Sequence, residues 1–117
     1  GEIGRRDILI EVPQEAGRLG GLTVDRDGFL WIAHYDGWAI NRYQPDGKID
    51  RRIPLPVPRP TSCIFGGPDL QDLFVTSARI RLSSQRLSEA PLSGSLFRIR
   101  TESSGIAETP YRLATSP

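Results

Sequence analysis

His34, Tyr35 and Asp36 stand in a row at the end of an apolar run, and a histidine beside a carboxylate can serve as a general base or a metal ligand. It is the single histidine of the chain, so no second ligand or nucleophile joins it at a recognisable spacing, and a strand-end histidine bonded to backbone is the competing reading. Ser62 and Ser77 lack the Gly-x-Ser-x-Gly setting of an activated nucleophile and read as strand hydroxyls. Asp25, Asp27 and Gly28 imitate the opening of a calcium loop, but the later oxygen ligands and the closing glutamate are missing, so a β-turn is expected. Arg79, Arg81 and Arg86 flank a serine-rich stretch and can clamp a carboxylate through their planar guanidinium forks, solvated loop arginines being the alternative. Tyr35, Trp38 and Tyr43 flank a turn, where aromatics can line a binding surface or simply pack. The candidate ligand-binding set is His34, Tyr35, Asp36, Trp38 and Arg79. No metal-ligand set is assigned, and no cofactor is expected from these residues.

Composition narrows the classes. In 117 residues, fifteen Lys and Arg face fourteen Asp and Glu, and the cations are scattered, which argues against a nucleic-acid partner. No window is apolar enough for a membrane span and no signal-peptide pattern opens the chain, so a soluble, cytoplasmic protein is expected. The sole cysteine, Cys63, sits in the run Cys63-Ile64-Phe65 and is expected to be a small buried hydrophobe. The sequence has no methionine, so Gly1 is expected to follow processing or truncation.

These residues must be held by strands. Ten prolines and twelve glycines punctuate short runs of aliphatic and aromatic residues, which predicts strands at Arg5 to Val12, Gly21 to Val24, Phe29 to His34, Trp38 to Tyr43, Lys48 to Leu55, Thr61 to Phe65, Asp72 to Ser77 and Gly94 to Arg100. Asp25-Arg26-Asp27-Gly28, Pro45-Asp46-Gly47 and Gly66-Gly67-Pro68-Asp69 supply tight turns between antiparallel neighbours. Residues 80–93 read as an inserted loop with one helical turn near Ser84 to Glu89, ended by Pro91. Ile8-Leu9-Ile10-Glu11-Val12-Pro13 repeats as Ile53-Pro54-Leu55-Pro56-Val57-Pro58, an offset of 45 residues that suits a four-stranded propeller blade. Trp31 and Phe74 are expected at equivalent positions as core aromatics. The predicted fold is all-β, a single partial domain over residues 1–117 of propeller-like four-stranded antiparallel blades, about two blade-equivalents: an outer strand 5–12, a complete blade 21–56 and a three-stranded blade 61–100 with the insertion at 80–93. Strands 5–12 and 94–100 would then leave open sheet edges that pair with further copies of the chain.

The run Gly21-Leu22-Thr23-Val24-Asp25-Arg26-Asp27-Gly28-Phe29-Leu30-Trp31-Ile32-Ala33, the stretch from Pro58 through Thr61-Ser62-Cys63-Ile64-Phe65-Gly66-Gly67-Pro68-Asp69, and Leu73 to Arg79 together resemble the closing section of six-bladed propellers of the gluconolactonase, senescence-marker-protein and regucalcin family. Pro91 to Phe97 also matches the way that family ends its last blade. The resemblance implies a lactone hydrolase in which Glu, two Asn and one Asp hold a divalent metal such as calcium or zinc, which polarises the carbonyl and activates water. Three of those ligands belong to earlier blades, and the position of the fourth, the Asp, is Gly20 here. Three functional readings follow: a non-catalytic, self-associating module that binds a small polar or sugar-acid-like ligand; an oligomeric metal-dependent lactone or ester hydrolase; and a remnant without a present function.

Overall fold

The computed structural model describes residues 17–106, in two antiparallel sheets. The first is a four-stranded meander of β1 (Arg18–Val24), β2 (Leu30–Tyr35), β3 (Ala39–Tyr43) and β4 (Ile49–Pro54). The second orders β5 (Pro60–Gly66), β6 (Asp72–Ser77) and β7 (Leu96–Arg100), with the short helix α1 (Ser84–Glu89) between β6 and β7. The architecture is the expected all-β arrangement of propeller-like antiparallel sheets. The expected strand 5–12 lies outside the described residues.

Local chemistry explains each reversal. The Gly28 amide donates to the Asp25 carbonyl at 3.0 Å and Gly47 to Gln44 at 2.8 Å, and both glycines sit in the left-handed region that closes such turns. Pro60 opens β5, where a strand tolerates a residue with no amide hydrogen. At α1, the Ser83 hydroxyl caps the Arg86 amide at 3.1 Å, and Pro91 follows directly on Ala90.

The sheets meet through one face each. Trp31, Ala33 and Ile40 from the first pack on Cys63, Phe65, Leu73 and Val75 from the second, joined by Leu55 and Val57 of the connection between sheets. Trp31 and Phe65 meet edge to face with centroids 5.4 Å apart, and the Cys63 thiol donates to the Trp31 carbonyl. Burial pushes the Cys63 thiol up to about 12.

One expectation is corrected by register. In the core, Leu73 and Val75 do for the second sheet what Trp31 and Ala33 do for the first. Phe74 is one position out of step, so it points to the opposite face and is only half-buried. Of the two readings open for Tyr43 the structure shows packing: it is 4% exposed, and its hydroxyl lies 2.9 Å from His34 Nε2.

The turn at Asp25 carries more than a reversal. Its buried carboxylate accepts from Trp31 Nε1 at 2.9 Å, from Arg42 Nε at 3.1 Å and Nη2 at 2.7 Å, and from the amides of Asp27 and Phe29. Arg42 also reaches Asp50 and lies 3.9 Å from the Phe29 ring centroid. One buried ion pair therefore ties β1, β2 and β3 together at this end. Among the described residues no helix is long and apolar enough to cross a membrane.

Candidate functional site

Antiparallel pairing sends the first residues of β1 and β5 and the last of β2, β4 and β6 to the same end of the two sheets. Arg18 lies opposite Tyr35, Ala39 opposite Pro54, and Pro60 opposite Ser77. Contacts from the first sheet to the segment that leads into the second fix the shared end: Trp38 N donates to the Pro58 carbonyl and Arg59 Nε to the Asp36 carboxylate. Tyr35, Asp36, Trp38 and Arg79 from the candidate set therefore share one surface.

The β2–β3 loop is tightly turned. Asp36 and Trp38 both adopt positive φ, 67° and 59°, with Gly37 between them. Such conformations cost on the order of 1–3 kcal/mol each and persist only where neighbours fix them. Here the Gly37 amide binds the His34 carbonyl at 2.8 Å, and the Trp38 carbonyl accepts from Leu55 N at 2.8 Å. Gly17 makes room from the other side, since a Cβ there would come 2.7 Å from Gly37 N.

Arginines surround this loop. Arg59 Nε donates to the Asp36 carboxylate at 2.6 Å, and its Nη1 to the Ile80 carbonyl at 2.9 Å. The hydrogen bond it donates to Asp36 raises the Arg59 guanidinium above its ordinary pKa. Arg18 and Arg59 lie 5.2 and 5.0 Å from the Tyr35 ring centroid, Arg86 lies 6.0 Å from that of Trp38, and Arg52 donates to the Gly37 carbonyl. Arg79 is exposed and lies across Gly94, where a Cβ would come 3.2 Å from its Cδ. Arg59 and Arg18 were not singled out from the sequence. The available signal for Arg59 was its place between Pro58 and Pro60, which fixes the backbone on both sides.

His34 belongs elsewhere. It is 1% exposed and shares the opposite face of its strand from Trp31 and Ala33, in contact with Tyr43, whose hydroxyl also accepts from Asn41 Nδ2 at 3.3 Å. Asn41 Oδ1 is buried with no hydrogen-bond partner among the described residues.

The metal position fails a direct test of fit. Gly20 and Gly21 form the irregularity in β1 between Leu19 and Leu22, pressed against β5. A Cβ on Gly20 would lie 2.7 Å from the Thr61 carbonyl oxygen and 3.2 Å from that of Ala33, and one on Gly21 would overlap the Ser62 side chain. No side chain fits at Gly20 without moving backbone, and among the described residues no group of three or more His, Cys, Asp or Glu is placed to hold a cation. The residues present do not suit a divalent-metal centre of the kind the resemblance implies.

Comparisons with known proteins agree with the architecture. The family model described as the SMP-30/gluconolactonase/LRE-like region matches residues 1–79. A 6-deoxy-6-sulfogluconolactonase of Pseudomonas putida is 39% identical over 109 residues, 92% of this chain and 38% of that protein. Regucalcin of Gallus gallus is 38% identical over 100 residues, 85% of this chain and 33% of its own length. The crystal structure of a calcium-binding protein, regucalcin, from Agrobacterium tumefaciens superposes with a TM-score of 0.78 at 35% identity, covering 83% of this chain and 33% of that one. The chain spans about a third of the length of the curated relatives it matches. It belongs to the SMP-30/gluconolactonase/LRE-like family.

Proposed function

We propose that this chain is a non-catalytic, self-associating segment of a gluconolactonase-type propeller that binds a small anionic polar molecule at its arginine and aromatic end. The observation that carries the reading is the crowding at Gly20, where a ligating side chain has neither an atom nor a space. Among the described residues, Arg18, Arg52, Arg59, Arg79, Arg81 and Arg86 lie at that end with Asp36 and Glu89, and of these arginines Arg59 alone is in an ion pair with a described residue. Unpaired guanidinium groups beside half-buried aromatics suit a carboxylate or sulfonate borne on a polar body. The P. putida relative, whose name places a sulfo group on its lactone, supports an anionic ligand.

A second reading, an oligomeric metal-dependent lactone or ester hydrolase, is favoured by the 39% identity to that same lactonase. Two measurements on the chain separate them: calorimetric titration with gluconate, and proton release from glucono-lactone with added calcium or zinc. The proposal expects saturable gluconate binding and no metal-dependent acceleration. Stoichiometric retention of either ion together with saturable lactone turnover would establish the hydrolase instead, and absence of gluconate binding would remove the ligand.

A further inference from the structure

Arg59 is fixed from several sides. It lies between Pro58 and Pro60, both fully buried, so its backbone is set on either flank. The carbonyls here are engaged as well: that of Pro58 accepts from Trp38 N at 3.3 Å, and that of Arg59 from Ala78 N at 2.9 Å. At the guanidinium, Nη1 donates to the Ile80 carbonyl at 2.9 Å, and Cζ lies 5.0 Å from the Tyr35 ring centroid. Backbone and head group are thus positioned before a ligand arrives, so that ordering them takes little from its affinity.

The remaining edge of that guanidinium already holds a carboxylate, incompletely. Asp36 engages Nε alone, at 2.6 Å, and among the described residues Nη2 makes no hydrogen bond. A guanidinium presents its Nε and Nη2 hydrogens in parallel, matched to the two oxygens of one carboxylate, so half of the fork is unused. The Asp36 side chain is 37% exposed and that of Arg59 19%, which makes the pair weak and its partner exchangeable. We infer that Arg59 is the seat for the carboxylate of a polyhydroxy acid, and that Asp36 is an internal stand-in, displaced when the ligand takes both Nε and Nη2. This deepens the anion reading given above and rests on it.

The surroundings favour the exchange. Arg18, with Cζ 5.2 Å from the same Tyr35 centroid, brings a second cation to that ring, and among the described residues it is in no ion pair. The arriving carboxylate meets two guanidinium groups where Asp36 engages one. Asp36 in turn rotates toward solvent, so no buried charge is left without a partner. While Asp36 holds the seat, the binding-competent fraction of the protein is reduced, and every anion's apparent affinity falls by that fraction. Removing the Asp36 charge therefore strengthens binding, although it deletes a contact.

Calorimetric titration of the 117-residue chain with gluconate reads the exchange. Asparagine tolerates the left-handed backbone of residue 36, at φ 67°, as aspartate does, so Asp36→Asn removes the charge without straining the turn. Asp36→Asn is expected to tighten gluconate binding by up to about five-fold, the range of a partly exposed pair, and Arg59→Gln to weaken it by about ten-fold or more. In the Arg59→Gln background Asp36→Asn brings no gain, because both act at one seat. A pair that only staples the turn gives the reverse for Asp36→Asn, unchanged or weaker binding with a lower urea midpoint, and that result overturns the inference. Where Arg59→Gln does not fold, nuclear magnetic resonance on the wild type decides: saturating gluconate shifts the Arg59 Nε–H and Asp36 carboxyl-carbon resonances together, and a ligand that moves neither overturns the seat. Gluconate bound with an affinity indifferent to both residues refutes this seat and leaves the anion reading standing. No binding by the wild type and by Asp36→Asn alike removes that reading and the seat with it.

Discussion

Replacing Asp25 by alanine tests the ion pair that joins three strands. The carboxylate is 1% exposed and accepts five hydrogen bonds, three of them from Trp31 and Arg42 side chains. Its removal leaves the Arg42 guanidinium, with 10% of its side chain exposed, balanced only by the more exposed Asp50, and leaves Trp31 Nε1 buried without an acceptor. Breaking one side of a buried pair costs about 3–5 kcal/mol, and the surviving Asp50 contact sets the expectation at the lower end. At roughly 4–8 °C per kcal/mol for a domain of this size, the melting temperature falls by at least about 12 °C. Urea unfolding followed through tryptophan fluorescence gives the free energy directly. Asp25→Ala with Arg42→Met recovers part of the loss, because the double change removes the stranded charge rather than exposing it. The same pair fixes a pH dependence. Burial by itself raises the Asp25 pKa, but hydrogen bonds from Trp31, Arg42 and the Phe29 amide outweigh it and hold the folded value below the ordinary one. Its stabilisation is therefore complete above the unfolded carboxyl pKa of about 3.9 and is lost as the pH falls through the lower folded value. A loss under about 1 kcal/mol for Asp25→Ala, with unchanged acid sensitivity, refutes this account.

Gly20→Asp destabilises the fold by about 1–3 kcal/mol through overpacking against the Thr61 carbonyl and does not confer calcium retention in equilibrium dialysis; a stable variant that holds one ion per chain contradicts the fit test. Cys63 resists a disulfide reagent at pH 8 in the native protein and reacts fully in urea. Because its folded pKa is raised to about 12, stability measured by urea titration declines as the pH rises above the unfolded thiol value of about 8.5. Arg79→Ala and Arg86→Ala, both exposed, each weaken gluconate binding by up to about five-fold, the range of a solvent-screened contact, and leave the urea midpoint unchanged; equal affinity in both variants places the anion elsewhere.

What was legible in the sequence was whatever short-range chemistry decides. The turns at Asp25 to Gly28 and Gln44 to Gly47 announce themselves through glycine and aspartate, and the helix through a serine cap and a proline stop, so their placement needs no tertiary knowledge. The misplacement of Phe74 shows where that ends. Alternation defines two faces but not which is inward, and a shift of one residue in matching the two sheets turned a half-exposed ring into an expected core residue. Arg42 is the harder case. An arginine in a strand reads as a solvent-facing residue, and only the pairing of Trp31 opposite Arg42 and Thr23 opposite Trp31 brings it beneath Asp25, seventeen positions earlier in the chain.

Gly20 combines both kinds of information. That a glycine cannot ligate a metal is plain from the sequence, but the reason it is glycine lies in the approach of two inner strands. With no side chains at Gly20 and Gly21, β1 comes within van der Waals reach of the backbone at Thr61 and Ser62, so the sheets approach closely where the implied ligand would stand. Close packing of the inner strands and a carboxylate at position 20 are alternatives at that point. Restoring the carboxylate therefore requires β1 to move off the Thr61 and Ala33 carbonyls, and because both obstacles are main chain, no trimming of a β5 side chain gives that relief.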